Sequence, residues 1–131
     1  MIFVDTSAWY AAFIPSDPNY ETMNAWLESH AHQLVTSDFV IDELITLMTM
    51  RSERSRCARV REYLIEEKTA HIEFVSRQDF MEAWDVHSSF RDKNWSFTDC
   101  TSRVIMERLG IRAALSLDND FRQFGTISVF P

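Results

Sequence analysis

Short apolar runs that stop at a carboxylate constrain this chain more than any other feature. Met1-Ile2-Phe3-Val4 ends at Asp5, and Ala113-Ala114-Leu115-Ser116-Leu117 ends at Asp118. Runs this short are bounded too soon for helices and read as strands buried on both faces. Between them the periodicity is helical. Behind the breaker Ser16-Asp17-Pro18, residues Tyr20, Met23, Trp26 and Leu27 recur at helical spacing, with Pro18 expected near the first helical position. Residues 33–36 read as a second strand, and Ser37 or Asp38 as the cap of a helix running to about Met50. A further helix covers about 54–67, and His71 to Val75 is a third strand. Ser76 and Asp79 have capping-box spacing for a helix reaching about Phe90, and the helix at 98–109 is stopped by Gly110. Strands near 112–116 and 126–130, with a short helix between them, complete the order.

Strands alternating with helices predict an α/β fold with a mostly parallel sheet covered on both sides. In such sheets a site forms at the carboxyl ends of the strands, where the strand order reverses. Asp5 and Asp118 follow strands at that edge, and Asp99 opens the helix that leads back to the fourth strand. Glu43 is assigned by helical phase. At about 100° per residue, Phe39, Glu43, Leu47 and Met50 share one stripe, whereas Asp42, Thr46 and Thr49 share a polar one. Glu43 is therefore expected to point inward and Asp42 outward.

Each acid also has a plainer role. Asp5 and Asp118 are credible helix caps, and Asp99 sits at capping-box spacing from Ser96. Asp120 competes with Asp118. Four carboxylates gathered at one edge repel unless a cation lies among them, and hard ions such as Mg²⁺ and Mn²⁺ prefer oxygen ligands. A metal-dependent site is expected.

The rest of the composition narrows the class. With 131 residues, two glycines and three prolines, residues 1–131 form a single domain with no linker. Two cysteines, Cys57 and Cys100, fit a reducing cytosol rather than a disulfide framework. No run approaches the roughly 20 apolar residues that span a bilayer, and no basic leader precedes the first strand, so a cytoplasmic protein without membrane association is expected. The net charge of −7 weighs against nucleic acid, although part of it belongs to the expected cation site. Arg51, Arg54, Arg56, Arg59 and Arg61 crowd into eleven residues, as a solvated helix face or as a surface for phosphates or an acidic partner segment. No HExxH, P-loop or GxGxxG is present, and the four tryptophans read as core or groove residues rather than base-stacking platforms.

Four blocks carry a family resemblance: Ile2-Phe3-Val4-Asp5-Thr6-Ser7-Ala8, Val40-Ile41-Asp42-Glu43-Leu44, Trp95-Ser96-Phe97-Thr98-Asp99-Cys100 and Leu115-Ser116-Leu117-Asp118-Asn119-Asp120-Phe121. In this order and spacing the chain resembles a PIN-domain ribonuclease, close to the VapC-type toxins of toxin–antitoxin pairs. The resemblance implies a three-layer fold around a five-stranded parallel sheet of order 3-2-1-4-5. It implies a Mg²⁺- or Mn²⁺-dependent endoribonuclease using Asp5, Glu43, Asp99 and Asp118, the metal held by Asp5, Asp99 and Asp118. Thr6 or Ser7 would assist by hydrogen bonding. Asp120 stands where many similar proteins have histidine, and Arg103 where an apolar residue is expected. The implied partners are RNA, a VapB-like antitoxin and a second copy of the chain. Surplus apolar side chains in 20–27 and 39–64, including Tyr20, Met23, Trp26, Leu47, Met48 and Met50, are expected to form the docking face beside the arginine cluster. A phosphoaspartate enzyme of the haloacid-dehalogenase type would need a second aspartate at position 7, which is Ser7. A PIN fold kept only for binding RNA or a partner is the other alternative, and loss of one of the acids would signal it.

Overall fold

The strands are even shorter than their apolar runs. In the computed structural model, which describes Met1–Pro131, they are β1 (Ile2–Val4), β2 (Leu34–Ser37), β3 (His71–Glu73), β4 (Ala113–Leu115) and β5 (Ser128–Phe130). They pair in parallel throughout, in the order β3-β2-β1-β4-β5. Every residue of β1 and β2 is buried. Successive side chains of a strand point to opposite faces, so both faces of the sheet are covered. Seven α-helices do this: α1 (Thr6–Phe13), α2 (Tyr20–Ser29), α3 (Asp38–Met50), α4 (Cys57–Val60), α5 (Arg77–Ser89), α6 (Phe97–Leu109) and α7 (Asn119–Arg122).

The chain moves outward from β1 to β3, then returns to lay β4 and β5 on the other side of β1. The reversal falls between β1 and β4, and their carboxyl ends open the crevice in which a site is expected. A buried polar bridge locks this region. The Trp9 indole N–H donates to Thr36 Oγ1 at 3.1 Å, and Thr36 Oγ1 donates to the Val4 carbonyl at 3.0 Å. One side chain thus ties α1, β2 and β1 together with no unpaired group.

Local chemistry sets the element ends. Ser37, Ser76 and Ser96 each cap a helix by accepting a backbone N–H, and at Ser76 and Ser96 the capping box is complete. Gly110 ends α6 at φ 68°, a left-handed turn that favours glycine. Three expectations need correction. Pro18 lies outside α2, because Asp17 Oδ1 takes the Asn19 N–H at 2.8 Å and delays the helix to Tyr20. β3 stops at Glu73, because the Val75 N–H turns to Asp38 Oδ1 at 2.8 Å. The helix near 54–67 is irregular, passing from 3₁₀ (Arg54–Arg56) through α4 to a π turn (Arg61–Ile65).

The expected apolar surplus holds in part, with Met50 and Tyr63 exposed and Leu47 half-buried, and is otherwise redistributed. Met23 and Met48 are fully buried, and Tyr20 and Trp26 are half-buried, whereas Phe80, Met81 and Trp84 on α5 lie open. Arg103 sits over the rings of Phe90 and Trp95, at 4.8 and 5.3 Å, with Glu107 at 3.2 Å. A cation–π seat explains a charge where an apolar residue was expected.

Candidate active site

Asp5 ends β1 and starts α1, but its side chain does not cap that helix. Its carboxylate is instead held from the neighbouring strand. Ser116 Oγ donates to Asp5 Oδ2 at 2.9 Å and Ser7 Oγ donates to the same oxygen at 3.1 Å. The two hydroxyls are themselves fixed by backbone, Ser7 Oγ accepting the Leu117 N–H at 2.9 Å and Ser116 Oγ the Asp118 N–H at 3.1 Å. Asp5 is 2% exposed, and its other oxygen, Oδ1, is buried without a partner. An unpaired buried carboxylate oxygen is costly. Burial, outweighing those hydrogen bonds and aided by the Glu43 charge, pushes the Asp5 carboxyl up to about 6.

Asp99 lies in the first turn of α6, where its Oδ2 accepts the Ser96 N–H at 3.0 Å. It is 6% exposed. Burial and the charge of Asp5 raise it to about 7, with Glu43 and Asp118 adding repulsion and the Ser96 N–H opposing them. The fold therefore places Asp5, Glu43 and Asp118 close enough for their charges to act on Asp99. Asp120 lies in α7, its carbonyl bound by the Trp95 indole at 3.1 Å, while Asp118 Oδ1 accepts the Asp120 N–H at 2.9 Å.

The helical phase around Glu43 holds in direction and fails in detail. Val40, Ile41, Leu44 and Met48 form the buried stripe of α3, Glu43 is half-buried at its edge, and Asp42 is exposed. Thr6 Oγ1 is buried and unpartnered, so Ser7 alone of the pair bonds to Asp5. Ser116 was not singled out as a site residue in the sequence. Its position two residues before Asp118, at the end of a strand adjacent to β1, was the available signal. Cys100 is buried, and burial with the Asp99 charge raises its thiol to about 11, which leaves it a packing residue.

No three His, Cys, Asp or Glu side chains close tightly enough to form a ready metal cage. The donor set nonetheless suits a hard divalent cation. It consists of carboxylates and hydroxyls, includes the orphaned Asp5 Oδ1, and carries mutual repulsion that a cation would relieve. The arginine cluster stands apart from this edge. Arg51 caps the far end of α3 and lies 4.8 Å over the Tyr10 ring, while Arg56 pairs with Glu53 at 3.0 Å.

A parallel 3-2-1-4-5 sheet with acids at its switch point defines a class, and the sequence comparisons agree with it. The chain belongs to the PIN domain family, whose profile matches residues 2–127. It is a homologue of the VapC-type endoribonuclease toxins. It is 30% identical over 131 residues to the 23S rRNA-specific endonuclease VapC20 of Mycobacterium tuberculosis (strains CDC 1551 / Oshkosh and ATCC 25618 / H37Rv), an alignment covering 100% of this chain and 99% of that protein. The crystal structure of M. tuberculosis VapC20, described as a sarcin-ricin loop cleaving toxin, superposes with a TM-score of 0.91 at 27% identity, each chain covered in full. A FitAB complex bound to a DNA fragment (TM-score 0.74, 14% identity, 99% and 94% covered) shares the fold. So does FitAcB from Neisseria gonorrhoeae (0.67, 15%, 100% and 97%).

Proposed function

We propose that this protein is the toxin of a VapBC-like pair and hydrolyses a phosphodiester of large-subunit ribosomal RNA in the cytoplasm, using Asp5, Glu43, Asp99 and Asp118. The observation that carries the reading is the burial of Asp5 and Asp99 at the sheet's switch point, with Glu43 and Asp118 close enough to act on Asp99. End-to-end similarity to an endonuclease of 23S rRNA supports the substrate.

A bound Mg²⁺ or Mn²⁺, held by Asp5, Asp99 and Asp118, would supply Lewis-acid polarisation of the phosphate and lower the pKa of water. The chain's own residues do the rest. Ser7 and Ser116 lock the Asp5 rotamer through Oδ2 and leave Oδ1 uncommitted. Asp99 is fixed by its cap to the Ser96 N–H. Glu43, half-buried and free to reach solvent, orients the attacking water and takes its proton. Asp120 supports the α7 end of the site.

The inhibitor fits another surface. A groove of about 590 Å³ opens between α1, α2 and the segment 59–71, lined by Phe13, Tyr20, Leu27, Arg59 and Tyr63 among others. It lies by the amino ends of β2 and β3, away from the acids. An amphipathic antitoxin segment suits it, with an acidic or carboxylate group meeting Arg59 through charge-assisted bonds. Arg51, Arg54, Arg56 and Arg61 flank the same end of the fold and serve that partner rather than the scissile phosphate. Self-association into a homodimer belongs to the same reading, and light scattering at micromolar concentration tests it, a strict monomer counting against it.

The function is tested by incubating the protein with purified ribosomes and Mg²⁺ and mapping RNA ends. One cut in 23S rRNA, with 5′-phosphate and 3′-hydroxyl products, is expected. Intact RNA, or cutting that persists in an Asp5→Asn, Asp99→Asn double variant, would overturn it.

A further inference from the structure

We propose that the aromatic face of α5 is a stacking platform for an unpaired RNA base beside the bond to be cut; this rests on the ribonuclease reading of the acid cleft. Phe80, Trp84 and His87 share one stripe of α5 at helical spacing. Phe80 is 47% exposed and Trp84 54%, so Trp84 is no core residue. The Phe80 ring lies 5.0 Å from Phe97 and 6.3 Å from Phe39, and Trp84 stacks with His87 at 5.9 Å and 24°. Phe97 opens α6 two residues before Asp99, and Phe39 precedes Glu43 by one turn of α3. The platform is thus continuous with the helices that carry two of the acids.

Charge favours a base as the occupant. The chain carries −7, and carboxylates line the cleft. Arg108, packed against α5, is consumed by Asp79 and Glu73 at 2.9 Å, whereas exposed Arg77 opens α5 and exposed Arg91 follows its end. The arginine cluster is at the other end of α3. Arg77 and Arg91 can meet phosphates at the ends of the helix while the aromatic stripe between them offers stacking, the combination that binds single strands. Single-stranded loops are the part of RNA that offers unstacked bases to aromatic rings.

The test uses the full-length Asp5→Asn protein as a cleavage-silent binder, without divalent ions. Its probes are an RNA hairpin with an open loop and a blunt RNA duplex. Phe80→Ala and Trp84→Ala should each weaken hairpin binding about tenfold, the scale of one lost base stack, and leave duplex binding unchanged. Trp84→Phe should restore most of the affinity. Both side chains are exposed, and matched thermal melts confirm that folding is intact. Unchanged hairpin affinity would overturn the platform. So would a fall in sedimentation mass in the alanine variants, which would give the face to a second copy. If wild-type protein binds hairpins with this dependence but never cuts RNA, the nuclease reading fails and the platform stands.

Discussion

Replacing Asp99 by asparagine should stabilise the metal-free protein, although it removes a proposed catalytic group. Asp99 is raised from 3.8 to about 7. Its folded form therefore holds a proton more tightly than its unfolded form, and the folded state binds more protons between those values. Stability from this group is present below about pH 4 and is lost as pH rises to about 7. Above that window the carboxylate is charged, buried and repelled by Asp5, at a cost of about 4 kcal/mol by linkage. Asparagine removes the charge while its side-chain oxygen can still accept the Ser96 N–H, so the cap survives. A gain of 2–4 kcal/mol, roughly, corresponds to about 5–15 °C in Tm for a domain of this size. The assay is a thermal melt in chelator at about pH 8 and about pH 5, where the gain should shrink by more than half. Adding Mg²⁺ should raise the Tm of the wild type and not of the variant, since only a folded site binds the ion. A variant no more stable than wild type at about pH 8, or an equal gain at both pH values, would refute the crowded-carboxylate argument.

Glu43→Gln should cut RNA cleavage by about a hundredfold or more, whereas Asp42→Asn should stay within about twofold; equal losses would mean the α3 phase is wrong. Ser116→Ala removes a hydrogen bond that favours ionised Asp5, so the acidic limb of the cleavage–pH profile should move to higher pH, and an unmoved limb would exclude that coupling. Arg108→Ala leaves the carboxylate of Asp79, 1% exposed, without its fork and should destabilise by roughly 3 kcal/mol in a urea melt. Burial pushes Asp79 up, but the Arg108 and Ser76 hydrogen bonds outweigh it and hold the group low, so the loss should be largest above about pH 4 and fade in acid. A constant loss across pH would point to packing instead.

Much of the fold was legible because its signals are local. A buried strand followed by an acid, a serine three residues before an aspartate and a glycine after a helix each act within a few residues. Ser76 with Asp79, Ser96 with Asp99, and Gly110 all fell where their chemistry requires. The misreadings came from competition at longer range. Asp38 draws the Val75 N–H out of β3, across 37 residues of chain. Ser116 joins the site only because β4 pairs with β1. Periodicity cannot tell which apolar stripe faces the core. Met23 and Met48 went inside, while Phe80 and Trp84, in an equally helical pattern, stayed out.

Buried acids at the β1/β4 switch point are expected to cut RNA with a divalent ion. Cleavage of 23S rRNA is to be measured for wild type, Asp5→Asn and Asp99→Asn, each with Mg²⁺ and with excess chelator. One site-specific cut is expected in the wild type with Mg²⁺, no cut in chelator, and none in either variant, all three being folded. Cleavage that continues in chelator, or at the wild-type rate in either variant, would contradict it.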